Sequence, residues 1–277
     1  MLTRLKTSLA AIGPDPLRLS ASTAFGAFPI GFLNIVLPIY FNKVGLDSSI
    51  IGQLYAVSAV TSAVLLVLFG LLADRFGRKP FVIGGTLLPA VSYAIFLGTT
   101  DPVWLTLAAG IGGVGLANGL SGVLAGSSFN ALLAEKTSDE NRTMVFSLGS
   151  AAWTGALMAG ALLGGLPEWL QSLGFGLVDS YRPLFWLSLL MAALAALVIV
   201  PIRERHTERS VHERPSLIPR RSLGAISRLT LVWGIIGLGL GFSVQLLSLW
   251  FYLKFNVSGD FLGPWYASSE ALSMAAM

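Results

Sequence analysis

Residues 70–80 read Gly70-Leu71-Leu72-Ala73-Asp74-Arg75-Phe76-Gly77-Arg78-Lys79-Pro80. Four charged side chains, two glycines and a proline here join two long apolar runs. That composition suits a tight connection between helices. Gly70 lets a neighbouring helix approach, Gly77 has free access to positive φ, and Pro80 fits the first turn of the helix that follows. The cations Arg75, Arg78 and Lys79 would suit any cytoplasmic loop of a membrane protein, but Asp74 and the paired glycines do not follow from that requirement.

The rest of the chain supplies the membrane. Of 277 residues 54% are hydrophobic and 12% charged, against about 25% charged in soluble domains. Soluble and disordered readings are both excluded, since disordered chains are poor in apolar residues and rich in charge. There is no cysteine, which removes disulfide frameworks, zinc knuckles and cysteine nucleophiles. The net charge of +4 does not point to nucleic acid, because the basic residues gather in short loops between apolar runs.

About 20 mostly apolar residues cross the hydrocarbon as a helix. On that measure spans fall near 20–42, 49–72, 81–99, 103–126, 143–166, 183–201 and 229–253, and an eighth opens near 261. Of the 18 lysines and arginines, 15 lie in one alternate set of loops, and only Lys43, Arg182 and Lys254 lie in the other. The bias predicts a multi-pass protein of the cell membrane with a cytoplasmic N-terminus. Trp104, Trp169, Trp186, Trp233, Trp250 and Trp265 fall near predicted span ends, where indole favours the interface.

Residues 202–228 form the one long polar stretch, rich in arginine and carrying Pro215 and Pro219. It reads as a basic cytoplasmic linker between a six-helix unit (1–201) and the start of a second, incomplete bundle (229–277). His206 and His212 lie in it as solvated loop residues rather than metal ligands. A repeat supports the division. At an offset near 210, Gly31-Phe32 matches Gly241-Phe242, Tyr40-Phe41 matches Trp250-Phe251, Gly52 matches Gly263 and Tyr55-Ala56 matches Tyr266-Ala267. Six spans separate the copies, so both cross in the same direction, as parallel repeats do. The expected fold is all-α and polytopic: a six-helix bundle followed by the first one to two helices of a pseudo-symmetric second one. A completed second copy would bring the chain to roughly 400 residues and twelve spans, so this chain reads as a fragment.

The 70–80 stretch closely resembles the signature loop of the major facilitator superfamily, G-x-x-x-D-R-x-G-R-K/R, with every defining position filled. Ala131-Leu132-Leu133-Ala134-Glu135 followed by Arg142 looks like the family's corresponding loop after span four. The resemblance implies two six-helix bundles that move a small solute by alternating access, with Gly70, Asp74, Arg75, Gly77, Arg78 and Lys79 as the conformational motif. Two departures stand against proton-driven drug export as the narrower reading. Such exporters usually carry an arginine within span four, where this chain has none, and Gly-Pro in span five, where it has Gly155-Ala156.

Polar groups inside spans are the solute-contact candidates, because they are costly in lipid and tend to face the bundle interior. Asn34, Asn118 and Gln245 qualify, and Trp153 is the mid-span tryptophan. Asn and Gln also tie neighbouring helices together, so both roles stay open. Glu270 is the acid well inside an apolar run and the candidate carrier of a coupling proton. Gly110-x-Gly112-x-x-Gly115 imitates a dinucleotide fingerprint, but that motif needs a preceding strand. Gly112, Gly115, Gly119, Gly122 and Gly126 read instead as a seam along one helix face where backbones touch, and Gly160-x-x-x-Gly164 and Gly237-x-x-x-Gly241 suggest similar contacts.

A membrane-embedded enzyme would need a nucleophile and base or clustered ligands at membrane depth, and no His, Asp or Lys falls there. A channel would need a ring of charges or a filter sequence. No phosphate-binding G-x-x-x-x-G-K-[ST] loop occurs, so a gradient is the expected energy source. The expected partners are the bilayer, a small solute and a coupling ion such as H+. No cofactor, metal or nucleic acid is called for, and a monomer is expected at full length.

Overall fold

The structure, a computed structural model, describes residues 13–114, 119–202 and 244–276, with Gly224, Ser227, Arg228, Leu231, Val232 and Ile235 between them. Regular structure among the described residues is helical: α1 (Pro14–Lys43), α2 (Ser48–Phe76), α3 (Lys79–Gly98), α4 (Pro102–Ile111), α5 (Gly119–Glu135), α6 (Arg142–Ala161), α7 (Leu166–Ser172), α8 (Leu177–Ile199), α9 (Leu247–Phe255) and α10 (Gly259–Ala275). A 3-10 turn, Leu162–Gly165, carries α6 into α7. Pro14–Lys43, Lys79–Gly98, Asp139–Ser172 and Leu177–Ile199 are long and apolar enough to cross a membrane. The fold is that of an all-α polytopic membrane protein.

α1 is the axis of the molecule. Every residue from Gly31 to Phe41 is buried, as expected of a helix that is apolar all round. It packs most extensively on α6 and next on α8, and α9 also reaches it. Glycines set the α1–α6 distance. A Cβ on Gly31 would lie 2.9 Å from the Ala161 amide nitrogen and would overlap the Leu157 carbonyl oxygen. A Cβ on Gly160 would overlap the Phe28 carbonyl in return. Small residues so placed let two backbones touch, which is how helices associate where burial from water supplies no drive.

Packing concentrates at the two ends. Near Lys43 the rings of Tyr40, Phe41, Phe96, Tyr181 and Phe185 interlock, with Tyr40–Tyr181 centroids 4.8 Å apart and Phe96–Phe185 5.7 Å apart. Ring pairs at 4.5–7 Å add about 0.5–1.5 kcal/mol each beyond burial, so this knot ties α1, α3 and α8 together. At the other end Leu19, Val82, Leu132, Val145, Ile199 and Ile202 form a second apolar cluster. Trp104, Trp169, Trp186, Trp250 and Trp265 are exposed around the outside, and Trp233 lies outside the described residues.

The structure corrects two expectations. Span four is not one helix over 103–126: α4 stops at Ile111, Gly112 turns, and Gly113 takes φ of 89°. Gly110, Gly112 and Gly113 lower helix propensity by about 1 kcal/mol each, and side chains hold the break open. Ser92 Oγ accepts from the Gly112 amide at 3.1 Å, and Ser121 Oγ donates to the Gly112 carbonyl at 2.9 Å. The glycine seam from Gly112 to Gly126 therefore does not run along one continuous helix face. The sixth helix begins at Leu177 rather than near 183. Asp179 and Arg182 pair at 2.6 Å within its first turns, so charges that suggest a loop are accommodated on an exposed helix start.

Candidate functional site

The signature loop is a tight turn. α2 ends at Phe76, Gly77 takes φ of 93°, and α3 starts at Lys79 with Pro80 in its first turn. A β-carbon is strained at that φ, so Gly77 is required by the backbone. Arg78 faces Glu135 at the end of α5 at 4.0 Å, Lys136 approaches the same carboxylate at 3.5 Å, and Lys79 Nζ donates to the Val200 carbonyl at 2.7 Å. Lys79 thus sits at the C-terminal end of α8, where a cation is favoured by the helix dipole. Gly70, Asp74 and Arg75 lie in the last turns of α2; the side chains of Asp74 and Arg75 lie outside the described residues.

Above this loop a cavity of about 490 Å³ opens between α1, α3, α5, α6 and α8. Trp153, Phe129, Phe146 and Tyr93 give it aromatic walls, and Ser22, Thr23, Thr86, Ser121, Ser150 and Thr154 give it hydroxyls. Several hydroxyl protons are already engaged. Ser22 Oγ donates to the Ala195 carbonyl, Thr23 Oγ1 to Leu19, Thr86 Oγ1 to Ile83 and Ser121 Oγ to Gly112. Those oxygens keep lone pairs, so they meet a guest as acceptors. Asn130 adds an amide, both donor and acceptor. Pro89, also on the wall, has no N–H to give the Gly85 carbonyl beneath it. Among the described lining residues none is ionisable apart from the Tyr93 phenol. A guest here meets rings, hydroxyl oxygens and the Asn130 amide, with no fixed charge among the described lining residues.

Trp153 is the sequence candidate that lines this cavity. Asn34 and Gln245 sit elsewhere, where α9 meets α1. Ser248 Oγ donates to the Asn34 backbone carbonyl at 3.2 Å, and the side-chain oxygens of Asn34 and Gln245 are both buried without a partner. Glu270 lies half-buried on α10, one turn from Met274, whose sulfur approaches the Cβ position of Gly155 at 4.0 Å. Gly112 closes α4 against α3, where a Cβ would lie 2.7 Å from Pro89 Cα. Gly119, Gly122 and Gly126 belong to α5. Asn118, Gly115, Gly237 and Gly241 lie outside the described residues. Gly164 and Gly263 meet where α6 runs into α7 and crosses α10: a Cβ on Gly263 would lie 2.7 Å from the Ala161 carbonyl oxygen.

Sequence reasoning passed over one charged cluster. At the end opposite the signature loop, Lys43 Nζ bonds Glu168 Oε1 at 3.1 Å, and the two side chains are only 13% and 18% exposed. The signal was present: Lys43 is one of three cations on that side, and Glu168 follows two glycines and a proline at a helix restart.

A turn-linked set of membrane helices, a charged loop tied to the ends of α5 and α8, and a cavity whose described lining carries no fixed charge define a polytopic membrane protein built around a solute-sized space. The sequence profile of the Major Facilitator Superfamily matches residues 19–277, and the chain belongs to that family. It is similar to the class C tetracycline resistance protein of Escherichia coli, 34% identical over 143 residues, covering 50% of this chain and 34% of that protein. The class H tetracycline resistance protein of Pasteurella multocida is 25% identical over 203 residues, covering 72% of this chain and 46% of the relative. The multidrug resistance protein MdtH of Aeromonas hydrophila is 29% identical over 177 residues, covering 62% and 41%. The chain thus spans between a third and half of the length of these relatives.

Proposed function

We propose that this chain forms the first bundle, and the opening of the second, of a secondary transporter that moves a small, ring-containing solute without net charge. The division follows the repeat: residues 1–201 are the first unit, 202–228 the cytoplasmic linker and 229–277 the start of the second. The observation that carries the reading is the cavity of the first unit, with aromatic walls, acceptor hydroxyls and no fixed charge among its described lining residues. A charged guest would leave water there without a counter-charge, at a cost of several kcal/mol. A neutral ring system would exchange water for stacking on Trp153. Relatives named for tetracycline and multidrug resistance support export as the direction, against the two departures in spans four and five. A proton gradient is the proposed energy source, with Glu270 as the acid placed to respond to it and Asn34 and Gln245 as polar contacts at the α1–α9 seam. The protein acts as a monomer in the cell membrane and carries out no covalent chemistry.

The test uses inverted vesicles bearing the longest product that the gene encodes, energised by a proton gradient. Chloramphenicol, a neutral ring compound, should accumulate, and ethidium, a permanent cation, should not. Trp153→Ala should lower chloramphenicol uptake roughly fivefold to tenfold, the equivalent of ~1–1.5 kcal/mol of aromatic contact. Equal handling of both probes, or an unchanged Trp153→Ala variant, would remove the cavity from the transport path.

Orientation is checked separately. A reporter fused after Arg209 should be cytoplasmic and one fused after Ser172 external, as the loop charges require. Both on one side would overturn the span order.

A further inference from the structure

The Lys43–Glu168 pair joins more than its own two helices. Lys43 ends α1 and Glu168 lies on α7, so the ion pair itself is internal to the first unit. What encloses it comes from both units. The Lys43 ammonium lies 5.9 Å from the Tyr181 ring centroid on α8 and 5.6 Å from the Tyr252 ring centroid on α9, both within reach of cation–π attraction. The second carboxylate oxygen, Glu168 Oε2, is buried without a hydrogen-bond partner. It lies 3.3 Å from the Cβ position of Gly259, the first residue of α10. The positive end of the α10 dipole therefore meets the negative end of the pair, and a larger residue at 259 would displace it. Gly165, three residues before Glu168, packs with its Cβ position 2.7 Å from Asp260 Cα, so the approach is backbone on backbone.

We propose that Lys43 and Glu168 form a latch that holds the second unit against the first at the end opposite the signature loop, and so closes the cavity on that side. The inference rests on the two-unit transport reading. Its logic is electrostatic. With α9 and α10 in place, the pair is shielded from water and covered on both flanks, its cation facing the Tyr252 ring and its anion packed against the α10 start without a hydrogen bond. When the units part, Tyr252 and Gly259 leave, water enters, and the ion pair falls back to the small value of an exposed one. The strength of the pair is thereby tied to closure. Glu168 contributes to the ion pair and packs against the α10 start, and Lys43 contributes to the ion pair and faces Tyr252, so either single variant should loosen closure.

The test is labelling of a cavity cysteine in the longest gene product. Thr154→Cys is the reporter, in a chain that has no cysteine of its own. An impermeant maleimide is applied in turn to each side of the membrane, and Ser172→Cys identifies the side that bears Lys43. On that side Glu168→Gln and Lys43→Gln should each raise the labelling rate of Thr154→Cys roughly fivefold to tenfold. Lys43→Arg, which keeps charge and reach, should label as the wild type. Tyr252→Leu should open the same side without touching the ion pair, which keeps the idea testable if Glu168→Gln fails to fold. Unchanged labelling in Glu168→Gln and Tyr252→Leu, or an increase confined to the signature-loop side, would overturn the latch. Absence of solute uptake with the labelling pattern intact would sink the transport reading and leave the latch standing.

Discussion

Gly31→Leu will yield a chain that inserts into the membrane but does not assemble, and Gly31→Ala will yield one that assembles with a loss of roughly 1–3 kcal/mol, the usual cost of overpacking. The site allows no easy relief. The atoms that a new Cβ would meet are the Leu157 carbonyl and the Ala161 amide of α6, a helical backbone that cannot rotate away as a side chain would. α1 and α6 would have to separate, and α1 is buried on every side over Gly31–Phe41, so the separation spreads to α8 and α9. Gly52 on α2 is the matched control, since nothing lies within 4 Å of its Cβ position; Gly52→Ala should be neutral or slightly stabilising, through better helix propensity. The measurement is thermal unfolding of the purified protein in detergent, with aggregation followed by size-exclusion chromatography. If Gly31→Ala melts with Gly52→Ala, the close α1–α6 crossing does not set stability.

Asp74→Asn should insert normally, shift the cavity toward the state open at the signature-loop side, and slow transport. Arg78 and Lys79 are already engaged within the first unit, with Glu135 and the Val200 carbonyl, so their presence in the loop is accounted for. The Asp74 side chain lies outside the described residues, and its proposed role is motivated by the sequence, since loop orientation largely ignores Asp. That role is to meet a helix N-terminus of the second unit when the cavity is open outward. A carboxylate at a helix start contributes roughly 0.3–1 kcal/mol when exposed and up to about 2 kcal/mol when partly buried. Removing ~2 kcal/mol from one of two near-balanced states changes their ratio about thirtyfold. Thr154→Cys labelling from the signature-loop side reports the shift, with surface expression measured in parallel. Normal expression with unchanged labelling and transport would reduce Asp74 to an ordinary loop charge.

Much of the architecture was legible because lipid imposes a coarse code. Twenty apolar residues make a span, and the glycines, acid and cations of 70–80 mark a turn whatever surrounds it. Gly77 and Pro80 take the places their backbone chemistry dictates. The break in span four was not legible. Glycines 110 to 126 fit a packing seam as well as a broken helix, and what decides between them is Ser92, twenty residues away in sequence, placed on the Gly112 amide. The cavity was legible only through Trp153. Its hydroxyls are common residues whose meaning comes from the helices they turn toward, and that depends on how α3, α5 and α6 pack. The Lys43–Glu168 pair was hidden for the same reason, since 125 residues separate its members.

The central position of α1 also bears on how the protein is made. α1 leaves the ribosome well before its partners: that of its Ser22 hydroxyl is Ala195, 173 residues later, and Ser248, which bonds its Asn34 carbonyl, follows after 214. At synthesis rates of about 5–20 residues per second, the first of these partners emerges roughly 10–35 s after α1. For that interval α1 must sit in lipid or beside the insertion machinery with its Ser22 hydroxyl and its Asn34 backbone carbonyl still without these partners. α8 and α9 therefore complete a helix made well before them, and α1 is most vulnerable to quality control before α8 arrives.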